Sequence, residues 1–185
     1  MKDLIAFLLE LEKLKGVHRK MRPLGLERFE NPAEHSWQVA LFALAFQDRP
    51  PALHLPRVIA MLLVHDLGEI DTGDTFAYVE GGWDDRKRAE RAAVERICAE
   101  QPILLDLWLE FDAEETPEAR FAHALDRAMP VLQNLANGGR SWRENDVTYD
   151  RVVRRIEAPI RRGAPGLWPY LERELAGARE RGLLA

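Results

Sequence analysis

Two histidines and two aspartates occupy positions that a helical apolar pattern assigns to the protein interior: His35, His65, Asp66 and Asp126. Burying an unpaired carboxylate is costly, so a buried aspartate is either paired with a cation or bound to a metal. Imidazole and carboxylate groups together form a nitrogen and oxygen ligand set that suits Mn, Fe, Co, Ni or Zn. These residue types in this setting favour a site for one divalent metal ion.

The strongest part of this pattern is the His65-Asp66 dipeptide, which ends the apolar run from Val58 to Val64. Because neighbouring side chains on a helix diverge by about 100°, a metal lying between the two directions can accept both. Taken alone, His35 and Asp126 are weaker evidence for a metal site. A lone core histidine usually has an ordinary hydrogen-bond partner, and Asp126 could pair with the adjacent Arg127.

Two further acids follow the dipeptide. Glu69 lies four residues after His65, on the same helical face if the helix continues for one more turn. Its carboxylate could then reach a metal-bound water rather than the metal itself. Asp74 follows Gly73, a residue that permits a tight turn, so a catalytic role and a turn-capping role for Asp74 both stay open.

The elements that would position these residues are helices, because apolar residues recur at steps of three and four along the chain. Asn31-Pro32 with Glu34, and Thr116-Pro117, are typical helix starts. We expect helices over 4–14, from 32 to about Gln47, and over 56–66, 84–100, 102 onward, 117–137, 148–162 and 165–181. The sequence therefore predicts one all-α domain over 1–185, a helical bundle with its motifs within 14–137 and C-terminal helices in 148–181.

Composition excludes several classes of protein. The chain has 185 residues, 46% of them hydrophobic, with a net charge of −5, which argues against a disordered chain and against a nucleic-acid binder. The single Cys98 can form no intrachain disulfide, which is typical of a cytoplasmic protein. The apolar run from Leu4 to Leu9 is too short for a membrane span. We therefore expect a cytoplasmic protein that binds neither nucleic acid nor membrane.

The ordered motifs resemble the HD-domain superfamily of metal-dependent phosphohydrolases, and in particular the branch of bacterial 5'-deoxynucleotidases and their eukaryotic relatives. The similarity covers about residues 1–140 and rests on Glu34-His35-Ser36-Trp37, His65-Asp66-Leu67-Gly68-Glu69, Gly73-Asp74 and Leu125-Asp126-Arg127 with Gln133. The resemblance implies His35, His65, Asp66 and Asp126 as ligands of one divalent ion (Mn, Co, Fe, Ni, Zn or Mg). It also implies Glu69 and Asp74 as acid/base and positioning carboxylates, and Arg19 as the phosphate-binding residue.

The residues after Arg19 depart from that branch. The deoxynucleotidases follow this arginine with a tryptophan that helps to sense the sugar, whereas Lys20, Met21 and Arg22 follow here and the next aromatic residue is Phe29. The sequence therefore leaves the choice between ribose and deoxyribose open. A solvated basic turn is the alternative interpretation of this segment.

The resulting prediction is a phosphohydrolase that converts (deoxy)nucleoside 5'-monophosphates to nucleoside and phosphate. A hydrolase of nucleoside triphosphates or pyrophosphorylated alarmones with the same site is less favoured, because the chain lacks a long insertion. A non-catalytic nucleotide-binding regulator would not need both Glu69 and Asp74, and a metal-free interaction domain is the plainest alternative. The resemblance suggests a homodimer, and we expect one or two of four tryptophans to anchor it: Trp83, Trp108, Trp142 and Trp168.

Overall fold

Helices account for all the regular secondary structure in the computed structural model, which describes residues 1–46, 50, 52–79 and 81–184. The α-helices are α1 Lys2–Leu11, α2 Pro32–Ala45, α3 Leu55–Val64, α4 Glu69–Thr72, α5 Trp83–Ile97, α6 Pro102–Ala113, α7 Pro117–Ala136, α8 Arg140–Glu144, α9 Tyr149–Gly163 and α10 Trp168–Glu180. Short 3-10 helices cover Glu12–Gly16 and Pro165–Leu167. The all-α prediction is confirmed. None of the helices in the described part of the chain is long and apolar enough to span a membrane.

Local capping fixes where the two longest site-bearing helices begin. At α2, the Asn31 side chain accepts a hydrogen bond from the Glu34 amide at 2.9 Å, and the Glu34 carboxylate accepts one from the Asn31 amide at 3.2 Å. At α7, the Thr116 hydroxyl accepts a hydrogen bond from the Ala119 amide at 3.1 Å. These caps satisfy amides that have no partner inside the helix, so both helix starts follow the sequence prediction.

The core is built around α7, which packs against α2, α3, α6 and α9. Its Phe121 and Leu125 are completely buried, and burying a side chain of this size stabilises the fold by about 1.5–3 kcal/mol. The contact with α9 is so close that a Cβ on Gly163 would lie 2.0 Å from the Arg120 carbonyl oxygen. Glycine at 163 therefore permits this approach, which brings α9 against the helix that carries Asp126.

The helix expected to continue through Asp66 ends earlier. α3 stops at Val64, and residues 65–68 form a turn before α4 begins at Glu69. At this turn the chain passes close to α5, where a Cβ on Gly68 would lie 3.0 Å from the Glu90 carbonyl oxygen. α3 is also not buried on every side, because Leu63 is 51% exposed. The expected end of α2 near Gln47 lies outside the described residues, and α2 extends to Ala45.

The tryptophans expected at a subunit interface are mostly core residues. Trp108, Trp142 and Trp168 are buried within the chain, so they are not available as interface anchors and that expectation was wrong for them. Trp83 is partly exposed beside a pocket. The most exposed tryptophan is Trp37 on α2, with 62% of its surface accessible.

Candidate active site

Three of the four predicted metal ligands converge in one buried cluster. His35 comes from α2, His65 from the turn after α3, and Asp126 from α7. One ligand atom from each residue lies within 4.8 Å of the others. Asp126 Oδ1 is 2.9 Å from His35 Nε2 and 3.5 Å from His65 Nε2. Both histidines are buried, and the Nε2 atom of each faces Asp126 Oδ1 rather than solvent.

The orientation of His65 leaves one of its nitrogens free for a cation. Nδ1 donates a hydrogen bond to the Leu62 carbonyl at 2.8 Å. Nε2 is buried and makes no hydrogen bond to any described residue, although Asp66 Oδ1 lies 3.2 Å away. Buried polar atoms are rarely left unpaired, and a metal-ligating histidine commonly donates its other N–H to a backbone carbonyl. The donor set and this orphaned nitrogen therefore fit a transition-metal ion.

The pKa values around the cluster show that it attracts a positive charge. Burial lowers the pKa of His65, but the negative charges of Asp66 and Asp126 outweigh it and raise that pKa to about 9. Burial raises the pKa of Asp126, but its hydrogen bond with His35 and the close approach of His65 prevail and hold that pKa well below its usual value. A metal ion at this position would meet the same negative field.

Asp66 lies at the edge of the cluster and is shared between it and Arg19. One carboxylate oxygen faces His65, and the other accepts a hydrogen bond from Arg19 Nη1 at 3.1 Å. The structure therefore brings the fourth predicted ligand to the site without including it in the compact group of three.

Arg19, the predicted phosphate-binding residue, is surrounded by acids. Its Nε lies 3.3 Å from Glu30, while Nη1 contacts Asp66 and lies 3.9 Å from Asp74. Burial lowers the pKa of Arg19, but the charges of Asp66, Asp74 and the other acids raise it above its ordinary value. Arg19 is thus a fixed, fully charged group at the pocket, and its charge is already matched by carboxylates.

Glu69 and Asp74 both line the pocket next to the metal cluster. Glu69 is buried, and its Oε2 has no hydrogen-bond partner in the described part of the chain. Burial and the nearby charge of Asp66 raise the pKa of Glu69. Burial also raises the pKa of Asp74, although Arg19 opposes this. Two carboxyl groups with raised pKa values beside one cation are suited to moving protons.

Glu30 is a site residue that the sequence prediction missed. It is 2% exposed, and its Oε1 accepts a hydrogen bond from Gln133 at 2.7 Å. Its Oε2 lies 3.3 Å from Arg19 Nε and 3.9 Å from His35 Nδ1. In the sequence it stands in the connection before α2, among charged residues, where nothing distinguishes it from a surface acid. The sequence prediction also missed His123, which lines the pocket and stacks on Phe111.

The cluster opens into a pocket with a cavity volume of about 230 Å³. Arg19, Asp66, Glu69, Asp74 and Asp126 line it at the metal side, and its remaining wall is partly aromatic, with Phe76, Tyr78 and Trp83. Lys20 Nζ lies 5.3 Å from the centre of the Phe76 ring. An aromatic side chain therefore does stand beside the basic turn, supplied by the segment after Asp74 rather than by the residue after Arg19.

Several known proteins are similar to this chain in sequence or in structure. The chain is 31% identical over 138 residues to the 5'-deoxynucleotidase HDDC2 of Xenopus laevis, covering 69% of this chain and 68% of that protein. It is 28% identical over 138 residues to human 5'-deoxynucleotidase HDDC2, covering 71% and 67%. A crystal structure of a "Predicted metal-dependent phosphohydrolase" from Magnetospirillum magnetotacticum superposes with a TM-score of 0.91 at 37% identity, covering 98% of this chain and 94% of that one. The sequence pattern of the HD domain matches residues 11–168, and the chain therefore belongs to the HD domain family.

Proposed function

We propose that this protein is a metal-dependent phosphohydrolase that cleaves the phosphomonoester of (deoxy)nucleoside 5'-monophosphates. The observation that carries the proposal is the buried, unpaired Nε2 of His65, which faces two carboxylates at the end of an open pocket. The similarity to proteins named 5'-deoxynucleotidase supports the substrate class. The carboxylates and Arg19 beside the cluster support a hydrolytic role rather than a purely structural metal.

In this proposal His35, His65, Asp66 and Asp126 hold one divalent ion of Mn, Co, Fe, Ni, Zn or Mg. Such an ion, when bound, lowers the pKa of a coordinated water and polarises a phosphoryl oxygen. His65 is held in the required orientation by the Leu62 carbonyl. Glu30 Oε2 lies 3.9 Å from His35 Nδ1, and its negative charge favours the tautomer that carries the proton on Nδ1 and leaves Nε2 able to bind a metal.

The remaining carboxyl groups have separate tasks in the proton transfers. Glu69 accepts the proton that the attacking water loses as the new oxygen–phosphorus bond forms. Its raised pKa makes the ionised form a stronger base than an exposed glutamate. Asp74 donates a proton to the sugar oxygen as the bond between that oxygen and phosphorus breaks, a role that its raised pKa also favours.

In this proposal Arg19 binds and orients the phosphoryl group of the substrate. Its guanidinium reaches the pocket between Asp66 and Asp74, where it binds a non-bridging phosphoryl oxygen and stabilises charge that is redistributed in the transition state. Its Nε is paired with Glu30, which keeps the guanidinium in place. The two acids flanking Nη1 also prevent it from binding an anion unless a second cation offsets them.

The test is a phosphate-release screen over nucleoside mono- and triphosphates with Mn, Co, Mg and Zn. We expect release from 5'-monophosphates, and we expect Glu69→Gln to abolish turnover while its metal content stays that of the wild type. Glu95→Gln, the same change at an exposed position on α5, is the matched control and should keep full activity. Release only from triphosphates or pyrophosphorylated nucleotides would establish the alternative hydrolase. Nucleotide binding without release would establish a regulator, and full activity of Glu69→Gln would remove Glu69 from the mechanism.

We also propose that the protein is a homodimer through α2. Trp37, Leu41 and Leu44 recur at helical spacing on one face of α2 and are all exposed. An apolar stripe of this kind is typical of an interface. Light scattering should give twice the chain mass, and Leu41→Glu should reduce it to the mass of one chain. A wild-type protein that elutes as a monomer would contradict this proposal.

Two further proposals concern the domain organisation of the chain and its location in the cell. Residues 1–185 form one domain in our proposal, because α9 and α10 both pack on α7. Cys98 is buried and unpaired, which supports a reducing, cytoplasmic location.

A further inference from the structure

The C-terminal helix α9 contributes a positive charge to the pocket. Arg155 lines the cavity next to Ile156, which is buried in the core. It stands outside every motif that identified the site, and no described carboxylate forms an ion pair or a hydrogen bond with its guanidinium. Among the residues that the structure describes, its guanidinium lies over Trp83, whose ring centre is 5.5 Å from Arg155 Cζ.

The electrostatic surroundings of Arg155 are unfavourable without a ligand. Burial and the like charge of Arg127 lower its pKa, and the charge of Arg19 acts in the same direction. Asp126 and Tyr78 oppose these effects but do not outweigh them. A partly buried charge without a counter-ion costs free energy. A bound anion would remove that cost.

Two other arginines of the pocket, Arg127 and Arg19, each have a carboxylate partner. Arg127 pairs with Glu114 at 3.2 Å, and Arg19 is paired with Asp66 and Glu30. Of these three arginines, Arg155 is the one that has no carboxylate partner among the described residues. Arg155 lines the same pocket as Arg19 and Asp126, and the charges of both residues act on its pKa.

We propose that Arg155 binds the phosphoryl oxygens of the substrate together with Arg19, so that α9 forms part of the phosphate site. This rests on the proposed function, since the anion that Arg155 binds is the phosphate to be hydrolysed. The planar guanidinium can bind two phosphate oxygens at once, which a lysine cannot reproduce. The guanidinium lies over the Trp83 ring, and this cation–π contact helps to hold it in place. In this role Arg155 would be the contribution of α9 to substrate binding.

The experiment compares Arg155→Met and Arg155→Lys with Arg154→Met, a control at the exposed neighbouring position on the same helix. Calorimetry on the manganese-loaded protein measures the affinity for inorganic phosphate, and steady-state kinetics measure KM and kcat for a nucleoside 5'-monophosphate. We expect Arg155→Met to weaken phosphate binding and raise KM by about ten- to a hundredfold, the cost of a charge-assisted pair. Arg155→Lys should show an intermediate loss, and Arg154→Met should stay within about twofold of the wild type.

A purely structural role for Arg155 predicts a different result. If the residue only packs on Trp83, its variants would shift the melting temperature but leave phosphate affinity and KM unchanged, and the proposal would be wrong. Should Arg155→Met fail to fold, Arg155→Lys retains the charge and the comparison still decides. A wild-type manganese form that binds no inorganic phosphate would also overturn the proposal.

The outcome separates this inference from the proposed function. If the wild type releases phosphate from no monophosphate, but Arg155→Met loses the inorganic phosphate affinity that Arg154→Met keeps, the proposed activity fails and the anion site stands. If the wild type hydrolyses monophosphates and Arg155→Met matches Arg154→Met in KM and phosphate affinity, the activity stands and the role of Arg155 fails.

Discussion

Glu30 lies between Arg19, the proposed phosphate-binding residue, and His35, a proposed metal ligand, and Glu30→Gln tests whether it positions both. The carboxylate is almost fully buried, accepts a hydrogen bond from Gln133 at 2.7 Å, and lies 3.3 Å from Arg19 Nε and 3.9 Å from His35 Nδ1. Glutamine has nearly the same shape but no charge. The substitution therefore removes the electrostatic contribution and leaves the packing of the surrounding side chains in place.

The expected loss of stability follows from these contacts. A hydrogen bond to a charged group contributes about 1.5–3 kcal/mol, and removing one partner of a buried ion pair can cost about 3–5 kcal/mol. The lower range applies here, because Arg19 keeps Asp66 at 3.1 Å and the new amide oxygen can still accept from Gln133. We expect the free energy of unfolding to fall by about 2 kcal/mol. Metal affinity should fall by about ten- to a hundredfold, as is typical when a group that orients a ligating histidine is lost.

Urea unfolding of the metal-free protein measures the stability, and calorimetric titration with Mn or Co measures the affinity. The matched control is Glu27→Gln, the same change at a residue that is 85% exposed and paired with Arg140 at 2.7 Å. Solvent screens that pair, so its loss should hardly change stability and should leave metal affinity unaltered. If Glu30→Gln is no more destabilising than Glu27→Gln and binds metal equally well, the positioning role assigned to Glu30 is refuted.

Three further predictions concern the metal and the packing of α9. Asp126→Asn removes the carboxylate that both histidines contact, and calorimetry should then detect no metal binding at micromolar concentrations; wild-type affinity would exclude Asp126 as a ligand. Chelation of the wild type should lower its Tm in scanning calorimetry, because a metal at one hundred times its Kd stabilises the folded state by about 2.7 kcal/mol; an unchanged Tm would argue against a bound ion. Gly163→Ala should destabilise the protein by about 3 kcal/mol or more in urea, because its methyl group would meet the Arg120 backbone oxygen at 2.0 Å. Gly177→Ala, which meets only the flexible end of Arg181 at 3.2 Å, should cost less than about 1 kcal/mol, and equal losses for the two variants would show that α9 does not approach α7 so closely.

Local sequence features predicted the helix starts but not all the helix ends. The start of α2 depends on Asn31 and Glu34, which are three residues apart, so the sequence alone contains the whole interaction. α3 ends at Val64, and in the turn that follows Gly68 approaches Glu90 in α5, a contact between elements that no local pattern encodes. The apolar pattern therefore predicts a helix that continues through Asp66, whereas the structure has a turn at residues 65–68. The clustering of His35, His65 and Asp126 was predictable because apolar helical stripes turned each of them inward.

Glu30 and Arg155 escaped prediction for a different physical reason. Glu30 lies in a connection without periodicity, and its partner Gln133 is 103 positions away, so neither a helical face nor a short motif marks it as buried. Arg155 follows the mostly polar sequence pattern of α9, in which an arginine usually faces solvent. Burial of a charge is visible in a sequence only where the surrounding pattern is apolar enough to make that charge costly.

The charges of the site explain why such residues are needed. Glu30, Asp66, Glu69 and Asp74 all act on the single guanidinium of Arg19, and Asp126 adds a further negative charge at the histidines. An anionic phosphate entering this pocket would be repelled unless other cations offset the acids. In the proposed mechanism, a divalent ion at the histidine cluster supplies one such charge, and Arg155, which lines the pocket from α9, supplies another. The acids proposed to hold the metal thus create a requirement for an additional basic residue, which is the role we propose for Arg155.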